Sequence, residues 1–109
     1  MRLFRATSID EVESIRLHAE FRTSRNTLEA KQFFKSVRAI EEFVRKARAQ
    51  NYRPPYTSYI EFEVSDDCLN DTIFTEQELD GFEALTVDEE HLVTFNNCVN
   101  FTELIYNAL

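Results

Sequence analysis

The sequence predicts an α+β fold: a small, mostly antiparallel sheet core carrying two main helices. Residues 57–64 alternate as a half-buried strand does, with Ile60, Phe62 and Val64 on one side and Tyr59, Glu61 and Glu63 on the other. Residues 36–49 switch to helical spacing, with Val37, Ile40, Val44 and Ala47 forming one stripe and Phe43 beside it. One glycine and two prolines among 109 residues leave no long flexible linker, so the elements should belong to a single domain, 1–109.

The remaining elements follow in chain order. Residues 2–6 alternate polar and apolar and are expected to form a short strand. Ser8 followed by Glu11 has the form of a capping box, and Val12, Ile15 and Ala19 mark a helix over 9–19. Residues 21–29 read as a polar loop, 31–35 as a short strand, and Ser36 as the cap of the second helix. Basic residues crowd that helix's last turns, where they suit its dipole. Pro54-Pro55 then imposes an extended connector.

After the strand at 57–64, residues 65–71 read as a turn or short helix and 75–78 as another short turn. Asp80-Gly81 punctuates the chain. A strand over 83–87 and a helical turn capped by Asp88 follow, and the tail fits a strand and then a short helix.

Charge is divided sharply along the chain. Residues 1–53 hold all twelve Lys and Arg with seven acids; residues 54–109 hold thirteen acids and no Lys or Arg, for a net charge of −8. Such asymmetry marks either an interaction surface or two halves that neutralise one another on folding. The net charge disfavours nucleic acid as a partner and favours a basic protein. No apolar run approaches the roughly 20 residues of a membrane span. The first residues show charge without an apolar segment behind it, so no signal peptide is expected. Cys68 and Cys98 form no ligand-spaced group with His18 or His91. They read as reduced thiols of a cytoplasmic chain, and no metal site is expected.

No phosphate-cradling glycine loop, HExxH or GxSxG is present. What remains is an ordered set of short features. A first strand carries an arginine in Leu3-Phe4-Arg5-Ala6-Thr7, and a capped helix and a polar loop with Asn26 and Glu29 follow. Then come Lys31-Gln32-Phe33-Phe34 running into a helix, the strand 59–64, and finally Leu79-Asp80-Gly81-Phe82-Glu83-Ala84.

This order resembles the minimal ADP-ribosyltransferase-like fold. The resemblance implies NAD as substrate, with Arg5 on a dinucleotide phosphate, where a planar guanidinium binds through paired hydrogen bonds. It implies Phe33 or Phe34 at the nicotinamide wall and Ser36 nearest the family's Ser-Thr-Ser segment, which this sequence lacks. It implies Glu83 as the catalytic carboxylate that steadies the developing oxocarbenium ion. Gly81 replaces the second glutamate of arginine-modifying members, which argues against arginine as acceptor. Arg5 and Glu83 should then converge on one cleft. Two functions follow: an NAD-dependent mono-ADP-ribosyltransferase of toxin or effector type, or a non-catalytic acidic binding module. The module would be a degenerate fold member or an immunity- or antitoxin-like protein engaging a basic partner.

Overall fold

A computed structural model describes residues 1–23, 30–69 and 73–109. The expectations that fell on Asn26 and Glu29 lie outside the described residues. The order of elements is β1 (Arg2–Thr7), α1 (Ile9–His18), β2 (Lys31–Phe34), α2 (Val37–Ala49), β3 (Ser58–Glu63), β4 (Thr75–Leu79), β5 (Phe82–Val87), α3 (Leu92–Asn96) and β6 (Ile105–Ala108). The strands form one six-stranded antiparallel sheet in the order β4-β5-β2-β1-β3-β6.

Alternation along the strands sorts the core into two layers. On one face Leu3, Phe33, Ile60, Phe62, Leu85 and Val87 pack against Ile15 of α1 and Leu92 and Phe95 of α3. On the other, Phe4, Ala6, Phe34 and Ala84 pack against Ala39, Ile40 and Val44 of α2. The predicted stripe of the second helix is therefore the buried one, with Val37 and Ala47 at its margins. Two of the predicted caps form: Ser8 Oγ accepts from Glu11 N–H at 3.3 Å, and Ser36 Oγ accepts from Ala39 N–H at 3.2 Å. Asp88 precedes the short turn Glu89–His91, but its side chain makes no cap bond.

The four expected strands and two main helices are present, with three corrections. Residues 75–79 form an edge strand rather than a turn. Asp80 and Gly81 take φ of 54° and 84°, the left-handed pair of a two-residue hairpin turn, which folds β4 back on β5. In the tail the order is reversed: a short helix comes first, and the strand β6 comes last. The third correction concerns the cysteines.

Cys68 and Cys98 are joined as a disulfide, not held as separate thiols. A separation of thirty residues gave no sign of contact. The segment after β3 and the segment after α3 meet at a Val64–Val99 bridge, which brings the two cysteines together. Phe21, assigned to a polar loop, is also buried. Its ring lies 5.2 Å from Phe33 and 5.2 Å from Phe101. Edge-to-face contacts of this kind add to the area the rings bury.

Candidate functional site

β1 and β2 are in register only at Phe4–Phe34. Beyond that pair the two strands splay, and the Arg5 side chain occupies the opening. Its Nη1 donates to the Gln32 carbonyl at 2.9 Å, a side-chain substitute for the lost ladder bond. Its Nη2 and Nε donate to Glu11 at 2.7 Å and 3.0 Å. The guanidinium also lies over the Phe33 ring, 5.7 Å from its centre.

Lys31, nearly fully buried at the start of β2, donates to the same Glu11 at 3.1 Å. One carboxylate thus serves two cations. Burial pushes the Glu11 carboxyl up, but the Arg5 guanidinium and the Lys31 ammonium more than offset this and hold it below its ordinary value of 4.5. The Ser8–Glu11 spacing predicts Glu11 as the second half of a capping box. Its side chain instead turns toward the sheet.

Two adjoining cavities flank Arg5. One, of about 760 Å³, is walled by Phe34, Phe43, Tyr52 and Tyr56 with Lys46 at its rim. The other, of about 500 Å³, lies between α1 and Tyr52, Pro54 and Tyr56, with Lys31 and Glu11 in its wall. Tyr52 and Tyr56 stack with ring centres 5.5 Å apart. Burial, together with the neighbouring Tyr52, pushes the Tyr56 phenol up to about 12.

Of the residues the resemblance singled out, Arg5 and Phe34 share the larger cavity. Phe33 lies beneath the Arg5 guanidinium, on the other side of the sheet from Phe34, and is fully buried. Ser36 caps α2 and lines neither of these cavities. Glu83 lies on β5 with β2 between it and β1. The cross-strand row Phe4–Phe34–Ala84 separates the two: Arg5 follows it on one side and Glu83 falls on the other. Glu83 is exposed and sits directly opposite Glu78 of β4.

Lys31, Tyr52 and Tyr56 were missed by the sequence reading. The two tyrosines flank Pro54-Pro55, and a rigid connector with an aromatic at each end was the available signal. For Lys31 the signal was its spacing of two from Phe33, which puts it on the same buried face.

The acidic half is partly neutralised. Arg2 meets Glu61 at 2.9 Å and Glu63 at 3.1 Å; Lys35 meets Glu76 at 3.2 Å; Lys46 meets Asp80 at 2.8 Å. Among the described residues of this half, Asp67, Glu78, Glu83, Asp88, Glu89 and Glu103 form no ion pair. Also among the described residues, no group of His, Cys, Asp and Glu is arranged to hold a metal ion, and no helix is long and apolar enough to cross a membrane. The chain matches no protein-family model, no curated protein and no solved structure.

Proposed function

We propose that the chain is a non-catalytic acidic binding module whose partner is a basic protein. The observation that carries this reading is the facing of Glu78 and Glu83 across the open β4–β5 edge, both exposed. Like charges directly opposite one another destabilise a sheet. A cation from a partner would relieve that repulsion, and Lys or Arg on an extended segment supplies it. The enzymatic reading fits less well. Arg5, the residue meant for phosphate, already spends its donors on Glu11 and Gln32. Glu83, the residue meant for catalysis, is placed away from that cavity.

The test is binding to a lysine-rich peptide followed by calorimetry across a salt series. Affinity should fall steeply as salt shortens the screening length to roughly 8 Å at physiological strength. It should also fall in the Glu78→Gln/Glu83→Gln double variant. Affinity indifferent to salt, or unchanged in that variant, overturns the proposal.

The aromatic walls around Arg5 favour a second reading, in which the cavity holds NAD as a degenerate ADP-ribosyltransferase pocket would. Calorimetry with NAD separates the two. Binding that is lost in Arg5→Ala, with no NAD turnover, selects the degenerate pocket. Turnover lost in Glu83→Gln would restore the enzyme. The Cys68–Cys98 disulfide belongs to the chemistry of an oxidising compartment, which favours an effector that is secreted over one that stays in the cytoplasm.

A further inference from the structure

The two open edges of the sheet differ in kind. β4 presents Glu76 and Glu78, and charge of this sort is how sheet edges avoid pairing with other chains. The opposite edge, β6, and the Leu109 that follows it contain no charged side chain, no proline and no glycine. In a chain of net charge −8, β6 is the edge on which two copies can meet without placing carboxylates against each other. Its Ile105 is 46% exposed and Leu109 is 41% exposed.

The hydrogen bonding of β6 fixes what its free side offers. Leu109 N–H donates to the Thr57 carbonyl, in line with the Ser58–Ala108 register. In an antiparallel ladder, residues alternate between the two sides. The odd-numbered residues of this segment therefore turn their backbone groups to β3, and Tyr106 and Ala108 turn theirs outward. By the same alternation Ile105, Asn107 and Leu109 share one face of the sheet.

We infer that β6 pairs antiparallel with β6 of a second copy, about a two-fold axis through Asn107. This register places Tyr106 opposite Ala108 of the other copy, so the outward backbone groups meet as hydrogen-bonded pairs. It places Ile105 opposite Leu109 of the other copy on both sides of the axis. Those are non-hydrogen-bonded positions, where side chains approach most closely. Each exposed apolar residue thereby covers the other.

The same face continues into a groove of about 450 Å³ beneath β6, where Val37, Val44, Tyr59 and Leu109 supply apolar wall and Glu41, Arg45 and Arg48 of α2 also line it. Ile105 of the second copy arrives beside Leu109 at the mouth of that groove. Moving the axis to Tyr106 would set Ile105 against Asn107 and leave Leu109 uncovered, so the Asn107 register is the self-complementary one. The ribbon is short, and the association is of the weak, concentration-dependent class.

Sedimentation equilibrium of the full chain over a concentration series tests this. The mass should rise from 12.9 kDa toward twice that value. Added salt should strengthen the association, since it screens the net repulsion between copies. That sign is opposite to the one expected for the basic-partner complex, so the two proposals fail separately. Ile105→Lys, at an exposed position, should hold the chain monomeric. Asn107→Cys should cross-link copies under mild oxidation, and Glu76→Cys on the opposite edge should not. A chain that stays monomeric across the series, an Ile105→Lys variant that still dimerises, or equal cross-linking at both edges overturns the inference.

Discussion

The Asn96 side chain holds both backbone groups of Phe21. Its Oδ1 accepts from Phe21 N–H at 2.8 Å, and its Nδ2 donates to the Phe21 carbonyl at 3.0 Å. In effect the amide completes a ladder rung for a residue in no strand. It thereby fixes the ring that joins Phe33, Phe62, Phe95 and Phe101. Asn96→Leu removes both partners and leaves two buried backbone groups without a bond. Unfolding by urea should show a loss of about 2–4 kcal/mol. Asn96→Asp keeps the acceptor and loses the donor, and should cost less.

Glu11 should make the fold acid-sensitive. Its carboxyl is held below 4.5 in the folded chain, so its contribution is present above that value and is lost as pH falls through the folded pKa. Glu11→Gln should destabilise by about 3 kcal/mol at neutral pH, because Arg5 and Lys31 then share the opening in β1–β2 without a counter-charge. The gap between parent and variant should close on titration to strongly acid pH. A gap that persists there would show that the carboxylate charge is not what holds the cluster.

Much of the sheet could be read from the sequence because its inner strands alternate cleanly. Ile60, Phe62 and Val64 announce the buried side of β3 and Leu85 and Val87 that of β5, and the two lie on the same face of the sheet. β4 was hidden because Thr75-Glu76-Gln77-Glu78 lacks the buried residues that mark a strand; it forms because the Asp80-Gly81 turn lays it against β5. β6 was hidden by length, since four residues cannot separate alternation from helical spacing. The site was harder still. Arg5 was visible as a strand arginine, but its partners Glu11 and Lys31 depend on how α1 crosses the sheet, which no local pattern encodes. The same holds for the disulfide.

That disulfide ties the segment after β3 to the end of α3. Replacing Cys68 and Cys98 by serine should lower stability by about 2–4 kcal/mol in thermal or urea unfolding. Reduction of the parent should reproduce the loss. Equal stability of the reduced and oxidised chains would mean that the Val64–Val99 bridge already fixes the two segments.

The Tyr56 phenol should ionise late. Its folded value of about 12 lies above the ordinary 10.0. The stability it supplies is therefore present below 10.0 and is lost as pH rises through about 12. Ultraviolet titration should show one tyrosine fewer in the high range in Tyr56→Phe than in the parent. A late titration that survives this substitution would assign it to another tyrosine.

The strand order carries a consequence for how the chain is made. β4–β5 is the one neighbouring pair in the sheet joined by a tight turn, and it lies at the outside. The central strand β2 finds its second partner only in residues 84–87. A chain emerging from the ribosome therefore carries Phe33 and Phe34 on an open strand until some fifty further residues have followed. Pairings this distant close slowly. During that interval β2, buried on both faces in the finished sheet, is an open apolar edge, and the late arrival of β5 ends the exposure.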